Sequence, residues 1–348
     1  MLRIKILVPI IATVAAAAVV GLLAFQIWNP SWNPFGLSPQ QRLDEAIANL
    51  FLAETFKTDG FLDFEIKTEE EPENFIISFR FSTKVDKKEP ENTKTEGSYN
   101  LGFGEQGFEI SIAGDIKTIG EDFYFKITSL PDFPLLSVML KGLENQWIKI
   151  DKETLAKTRG EKIEDLEQKK EEQKKLWQDL TSLFKRRKMF EVKEKLKGEE
   201  IDREKTLHLL VKVRREELRT LIPELLKIIE RYSTEEQKVE LQEFLKDFPQ
   251  KFDEVYDKVG EINFEVWISK KDNYLKKLKG EKEFDLSKFE QFQTSSIKEG
   301  KIKIKFDARF SLFNQKMKIE IPESFKKLDE VFPQIPGGGS LPLFLPGK

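Results

Sequence analysis

The sequence predicts an α+β protein: a large, strongly curved antiparallel sheet (a half-barrel) with helices packed in its concavity, preceded by one transmembrane helix. Three observations lead to this fold class. About ten segments alternate apolar with polar residues, which indicates strands of a sheet with one dry and one wet side. Amphipathic helical segments supply the other apolar surfaces that could cover the dry side. A long uncharged stretch near the N-terminus accounts for the transmembrane helix.

This uncharged stretch runs from Leu7 to Ile27, and its only polar residues are Thr13 and Gln26. A helix of that length spans roughly 30 Å, the thickness of the hydrocarbon core of a bilayer. Arg3 and Lys5 precede it, so the positive-inside rule keeps the N-terminus cytoplasmic and the remainder extracytoplasmic. A secretory signal peptide is the alternative, but its apolar region is shorter and ends at small residues. We therefore expect an uncleaved, single-pass anchor in the cell membrane.

Composition divides the chain into four regions. Residues 1–28 hold the cytoplasmic N-terminus and the anchor, and residues 29–38 form a linker with two prolines. Residues 39–332 form the extracytoplasmic α+β domain, and residues 333–348 are a flexible tail rich in proline and glycine. Two separate domains divided near Gly160 are the alternative to one large domain.

The first part of the domain begins with a helix and continues as a meander. Ser38 is a good N-cap, followed by proline at the first helical position, and the helix is expected to end before Gly60. From Phe61 to Thr128 the period changes to two, with short polar turns between apolar segments. This pattern predicts about five antiparallel strands.

The second part mixes helices with further strands. Helices are predicted over Asp132–Gly142, Glu161–Lys188, Arg215–Tyr232 and Thr234–Tyr256. Strands are predicted over Gln146–Ile150, Met189–Lys197, Glu204–Val213, Ile262–Ile268, Tyr274–Phe284, Gly300–Leu312 and Lys316–Ile321.

The residues that most enzymes need are scarce in this sequence. It has no cysteine, which excludes thiolate nucleophiles, disulfides and an acylated N-terminal cysteine. Its one histidine, His208, shares a strand face with Thr206 and Lys212, so we expect it on the wet face, exposed to solvent. No catalytic or phosphate-binding motif occurs, and we expect neither catalysis, a metal nor a cofactor. With 58 basic against 61 acidic residues, nucleic-acid binding is not expected.

The order of elements and several local segments resemble a known family. These segments are the Gln146–Ile150 strand that leads into a helix, the Leu207–Val211 strand that leads into a leucine-rich helix, and Phe264–Ile268 followed by Asp272 and Asn273. Over Leu43–Ile321 the chain is similar to the LolA-like fold, which includes periplasmic lipoprotein carriers and LppX/LprG-type lipid-binding lipoproteins. The resemblance implies a bacterial cell-envelope protein that binds lipid. The chain departs from that group in lacking the acylated cysteine and keeping an anchor.

Two functions that involve no catalysis follow from this reading. In the first, a lipid or another apolar ligand lies between the sheet and its helices, where 29 phenylalanines supply apolar surface. The candidate lining residues are Phe79, Phe81, Phe125, Leu225, Phe244, Phe264, Phe306 and Phe310. In the second, the domain is a solid envelope scaffold that presents its charged face, or the tail at 341–345, to a protein partner.

Overall fold

We analysed a computed structural model of the chain. It describes residues 37–68, 75–89, 92–105, 108–131, 143–151, 172, 175–176, 178–180, 182–184, 187–233, 235–289 and 300–331. The predicted anchor at 7–27, the helix at 132–142, most of the helix at 161–188 and the tail at 333–348 lie outside these residues. Within them, no helix is both long enough and apolar enough to cross a membrane.

The described residues form four α-helices and thirteen strands. The helices are α1 (Pro39–Leu52), α2 (Arg215–Arg231), α3 (Glu235–Val259) and α4 (Leu328–Val331). The strands are β1 (Thr55–Thr68), β2 (Phe75–Asp86), β3 (Lys94–Glu105), β4 (Phe108–Ile119), β5 (Asp122–Ser129), β6 (Ile148–Ile150), β7 (Phe190–Leu196), β8 (Glu200–Ile201), β9 (Glu204–Val213), β10 (Asn263–Ser269), β11 (Leu275–Asp285), β12 (Gly300–Ser311) and β13 (Lys326–Lys327).

These strands belong to one mixed sheet that does not close, so the α+β class is confirmed. One run of hydrogen-bonded neighbours is β13–β6–β5–β4–β3–β2, and another is β12–β11–β10–β9–β7, with β8 paired to β9. The prediction of a purely antiparallel sheet was wrong at one end, because β13 pairs with β6 in parallel. The two-residue β13 lies far from β6 in the sequence, so no hairpin fixes its direction.

The described chain divides into two compact units. The helical unit consists of the described residues of Met1–Ala53, Asp63–Asn74 and Lys175–Phe310, with α1 to α3 and the strands from β7 to β12. The meander unit consists of those of Glu54–Leu62, Phe75–Lys174 and Ser311–Lys348, with the strands from β2 to β6, β13 and α4. Strand β1 contributes residues to both units.

Helix α1 begins where the sequence predicts. The Ser38 hydroxyl accepts from the Gln41 amide, and the Gln41 side chain accepts from the Ser38 amide, a capping box that satisfies two N-terminal donors. The apolar stripe of α1 is buried, with Leu43 and Ile47 fully enclosed, and the helix packs on β7, β10 and β11. Burial of such a stripe is what stabilises a helix of this length.

Gln40 joins α1 to the edge of the sheet in the helical unit. Its side-chain amide donates to the Phe190 carbonyl (3.2 Å) and accepts from the Val192 amide (2.9 Å). A neighbouring strand would pair with the same two backbone groups, so Gln40 covers part of the edge of β7.

The core of the helical unit is densely filled on one face of the sheet. Across neighbouring strands, Val211 of β9, Phe264 of β10, Gly280 of β11 and Phe306 of β12 lie opposite one another. The Phe306 ring occupies the space that a Cβ at Gly280 would need, beside the Cβ of Phe264. Phe264 in turn packs edge-to-face on Phe190, with 5.4 Å between ring centroids. Position 280 therefore requires glycine, because the Phe306 ring leaves no room for a side chain there.

Helices α2 and α3 form a pair held by ion pairs and apolar residues. Arg215 bonds Asp253 and Asp257 of α3, at 3.0 and 2.7 Å. Along α3, Phe244, Phe248, Phe252 and Tyr256 form a row of adjacent rings at helical spacing.

Most predicted helix and strand boundaries agree with the structure within a few residues, and the predicted strand Glu204–Val213 agrees at both ends. Two predictions were wrong. Residues 316–321 form no strand, and Ile319 is buried there from an irregular segment. The first helix ends at Leu52, before Gly60 as predicted, but β1 begins at Thr55, whereas the sequence predicts strands only from Phe61.

Candidate functional site

The candidate site is one face of the meander unit, which we call the dry face. Five cross-strand rows supply its side chains, and strand register places the members of each row on the same side of the sheet. The rows are Ile77–Phe103–Ile110, Phe79–Leu101–Ile112, Phe81–Tyr99–Gly114–Ile127, Thr83–Gly97–Ile116–Phe125–Ile148 and Val85–Thr95–Thr118–Phe123–Ile150. None of these positions carries a charged residue, so the five rows offer aliphatic and aromatic groups with a few hydroxyls. The next row, Phe75–Glu105–Phe108, includes a glutamate.

The dry face is filled at one end and open at the other. At β5 and β6, Ile127 and Ile148 form a buried cluster with Leu143 and Leu328. At β2, by contrast, Phe75 is 36% exposed and Phe79 is 37% exposed. Large exposed apolar side chains that are contiguous with an apolar sheet face mark a surface that can accept apolar matter.

The ring of Phe79 does not stand alone at the open end. It stacks on Phe81, two positions along β2, with 5.7 Å between centroids and 25° between the planes. The next strand places Leu101 opposite Phe79 and Tyr99 opposite Phe81. These four residues form a continuous apolar surface on two adjacent strands.

Tyr99 provides a hydroxyl on this surface. A Cβ at Gly114, its cross-strand partner, would lie 2.6 Å from the Tyr99 hydroxyl oxygen, so the phenol ring crosses the bare glycine backbone. Burial raises the pKa of the Tyr99 phenol, and the nearby Asp115 carboxylate adds to this. The hydroxyl is therefore held neutral and can donate or accept a hydrogen bond.

The opposite face of the same strands carries several ion pairs. Glu96 of β3 bonds Lys84 of β2 and Lys117 of β4, both at 3.1 Å. Although burial acts to raise it, the pKa of Glu96 is lowered by hydrogen bonds and charges from Lys117 and Lys84. Lys117 and Lys126 also place their ammonium groups over the ring of Trp147, at 5.4 and 4.9 Å. In the meander unit, strand register thus places these charged side chains on the face opposite the five apolar rows.

The structure separates the eight predicted lining residues. Phe79, Phe81 and Phe125 share the dry face of the meander unit, with Phe125 in the same row as the buried Ile148. The other five residues lie in the helical unit: Phe264 and Phe310 are buried, and Leu225, Phe244 and Phe306 are half-buried. The sequence alone did not single out Phe75, Leu101 and Tyr99, since alternation gives the face of a strand but not its neighbours.

The predicted exposure of His208 was wrong. The side chain is only 6% exposed and stacks on Trp267, with 4.1 Å between centroids. The face that His208 shares with Thr206 is buried too, so β9 is enclosed on both sides. The alternating sequence of β9 resembles that of a half-exposed strand, because the side chains that cover its His208 face are themselves polar or amphipathic. Within the described residues, no three His, Cys, Asp or Glu side chains are placed to hold a metal ion.

Comparison with known proteins returns structures and no sequence relatives. No family model matches the chain, and no curated protein matches it. Among solved structures, the chain is similar to LprF from Mycobacterium bovis, at 10% identity and a TM-score of 0.34, over 82% of this chain and 98% of that one. It is similar also to the lipoprotein LppX from Mycobacterium tuberculosis, at 10% identity and a TM-score of 0.27, over 81% and 97%. A DUF1329 family protein from Desulfovibrio piger follows, at 8% identity and a TM-score of 0.17, over 77% and 88%. These likenesses carry no functional argument, and the residues themselves must carry any functional conclusion.

Proposed function

We propose that the protein binds an acyl chain of a lipid, or another elongated apolar ligand, on the dry face at the β2 end. The observation that carries this proposal is the exposure of Phe79, above one third, on a face whose five rows contain no charge. Phe75, also exposed above one third, continues β2 beyond these rows, opposite Glu105. Each methylene moved from water onto such a surface gains up to about 0.8 kcal/mol. A chain of ordinary length can therefore be held without a polar recognition motif, in keeping with the absence of one in the sequence.

The proposed lining takes three of the sequence candidates and adds their neighbours. Phe79 and Phe81 form the open end, and Phe125 lies toward the filled end. Leu101 and Tyr99 on β3 complete the surface. We assign Phe264, Phe306 and Phe310 to packing of the helical unit, where their neighbours already fill the space.

We further propose that the domain is held outside the cell membrane by the predicted anchor at 7–27, and that the sheet curves around helices as the sequence predicts. An anchored protein of this kind receives or presents lipid at one membrane and does not diffuse between membranes. We propose that it binds without catalysis. The alternative is an envelope scaffold with a solid core, in which the exposed phenylalanines contact a protein partner.

A fluorescent fatty acid titrated into the purified full-length chain tests this function. Phe79→Asp places a carboxylate on the apolar surface, and burying that charge against an acyl chain is costly. We expect its affinity for the probe to fall at least about tenfold.

Phe325→Asp is the matched control. Phe325 is 40% exposed, belongs to the same unit and packs on Tyr124, whose strand position puts it on the wet face. Its substitution should leave probe affinity within about twofold. Equal losses in the two variants, or no saturable binding by the unmodified chain, would favour the scaffold instead.

A further inference from the structure

The five rows of the dry face differ in polarity along the strands. The two rows that contain Ile77 and Phe79 hold only aliphatic and aromatic side chains. Each of the next three rows holds at least one hydroxyl, and the residues that supply them are Tyr99, Thr83, Thr95 and Thr118. The dry face is therefore fully apolar at one end of β2 and bears hydroxyls at the other.

A lysine lies beyond the end that bears hydroxyls. Lys87 follows directly on β2, two positions after Val85 of the last row, so the alternation of the strand places it on the dry side. Its ammonium lies 5.4 Å from the centroid of the Phe56 ring on β1. Its backbone amide donates to the Glu54 carbonyl at 2.7 Å, which joins the end of β2 to the start of β1.

Contacts between β1 and β2 place Phe56 on the dry face as well. The Asp59 carboxylate accepts from the Ser82 hydroxyl at 2.7 Å, and the Arg80 guanidinium lies 5.7 Å from the centroid of the Phe61 ring. Ser82 and Arg80 belong to the wet face, because they alternate with the members of the dry rows. Odd positions in this part of β1 thus face the wet side, and Phe56 faces the dry side. All these residues belong to the meander unit.

The surroundings of Lys87 favour contact with a negative charge. The side chain is half-buried, and burial lowers the pKa of its ammonium, so the charged form is disfavoured there. An anionic group within about 4–6 Å would favour the charged form. Beyond the opposite end of the face, the row of Phe75 contains Glu105. A basic residue thus follows the end with hydroxyls, and an acidic residue follows the apolar end.

The length of the face suits one acyl chain. Val85 and Phe79 are six residues apart on β2, which corresponds to roughly 20 Å at about 3.3 Å per residue. One acyl chain spans about half of the hydrocarbon core of a bilayer, roughly 15 Å. A chain with its head group near Lys87 therefore extends over Phe81 and approaches Phe79.

We propose that the dry face takes an amphiphile with an anionic head group, oriented with this head group at Lys87 and its chain end at Phe79. This inference rests on the proposed function and adds the charge and direction of the ligand. The Lys87 ammonium contacts the head-group oxygens, and the hydroxyls of Thr83 and Thr95 can donate to them. A cationic head group is repelled at the same position.

Three amphiphiles with the same chain and different head groups test this inference. A fatty acid, the corresponding alcohol and the corresponding amine are titrated against Nile red bound to the purified full-length chain. We expect the acid to bind more tightly than the amine by about fivefold or more. Lys87→Met keeps an apolar stem and removes the charge, so it should weaken the acid about fivefold and leave the alcohol within about twofold. Lys87→Arg should retain the preference for the acid.

Lys84→Met is the matched control, because it removes the same charge from the wet face of the same strand. It should leave the ratio of acid to alcohol affinity unchanged within about twofold. Equal weakening of the acid in the two Met variants, or equal weakening of acid and alcohol in Lys87→Met, would overturn the head-group assignment while apolar binding stands. If none of the three amphiphiles binds, both this assignment and the proposed function are overturned.

The direction of the ligand has its own readout. A fatty acid with a diazirine next to the carboxylate should label Val85 or Thr95, and one with a diazirine at the chain end should label Phe79 or Leu101. The reverse order, or the same labels from both probes, would contradict the proposed orientation.

Discussion

Phe264 and Phe79 are the same residue in the same kind of strand, yet their surroundings differ sharply. Phe264 in the helical unit is 2% exposed and lies against Phe190, with the Phe306 ring nearby over Gly280. Phe79 in the meander unit is 37% exposed, although it stacks on Phe81 and faces Leu101. One unit has closed its apolar face with its own side chains. The other has left part of an equally apolar face available.

This difference shows what an apolar strand pattern does and does not determine. Alternation fixes which side of a strand is apolar, and the energy of burial then requires something to cover it. In the helical unit, rings that cross glycine positions fill the space. In the meander unit, Phe79 at the β2 end stays partly exposed among the residues that the structure describes, and this is why we place the ligand there.

The largest expected effect tests whether the two phenylalanines play different roles. Phe264→Ala removes a fully packed ring and should lower the free energy of unfolding by about 3–5 kcal/mol. Phe79→Ala should lower it by about 1 kcal/mol or less, because its ring is already partly in water. Urea unfolding followed by hydrogen exchange in peptides of each unit measures both. Comparable costs at the two positions would remove the contrast between a filled and an open face.

The second prediction compares the two glycines that lie beneath aromatic rings. Gly280→Ala should cost about 1–3 kcal/mol through overlap with the Phe306 ring, and combining it with Phe306→Ala should relieve most of that overlap. Gly114→Ala would also meet the Lys126 backbone carbonyl oxygen, at 2.6 Å. Combining Gly114→Ala with truncation of Tyr99 should therefore leave much of the destabilisation by Gly114→Ala in place. A double-mutant cycle on unfolding free energy distinguishes the two cases, and similar relief at both sites would contradict it.

The third prediction concerns the edge of β7. Gln40→Ala removes two hydrogen bonds to that strand and should cost about 1–2 kcal/mol, at roughly 0.5–1.5 kcal/mol for each. Amide exchange at Val192 should become faster. Gln41→Ala is the control, since it weakens the cap of α1 without contacting β7. Unchanged exchange at Val192 in the Gln40 variant would show that the edge does not depend on this amide.

The smallest effects are pH-dependent and have opposite signs in the two units. Burial raises the pKa of Asp44 on α1, despite the hydrogen bond from Gln40, so its ionised form disfavours folding above its unfolded pKa. Asp44→Asn should slightly raise the melting temperature at neutral pH and have no such effect in acid.

The pKa of Glu96 is lowered by its two lysines in spite of burial. The ionised carboxylate therefore stabilises the fold above its unfolded pKa, and this stabilisation is lost as the pH falls. Glu96→Gln should lower the melting temperature at neutral pH only. Shifts of the same sign would be inconsistent with these environments.

Much of the fold could be predicted because local patterns and tertiary packing agree. Strand β9 carries Leu207, Leu209, Val211 and Val213 at alternate positions, and α1 has a capping box ahead of an apolar stripe. The start of the first strand was misplaced because Gly60 was taken as a break, whereas it lies inside β1. Strand β13 has two residues and takes its direction from a distant partner, so no local pattern could indicate it.

The candidate site could be predicted only in part. Sequence periodicity identified Phe79, Phe81 and Phe125 as members of one apolar face, but it assigned Phe264 to the same site with equal weight. Whether such a residue is covered depends on residues one and two strands away, as Gly280 and Phe306 show for Phe264. His208 was misplaced for the same reason, since Trp267, 59 positions later in the sequence, supplies its cover.

Photo-crosslinking tests the account of the open face most directly. A fatty acid carrying a diazirine on its chain is bound to the full-length protein and irradiated, and the labelled residues are mapped by peptide mass spectrometry. We expect labels on β2 and β3 at Phe75, Phe79, Phe81 and Leu101, with none at Phe264. Labels confined to the wet face or to α3, or no labelling above that of an unrelated protein, would contradict it.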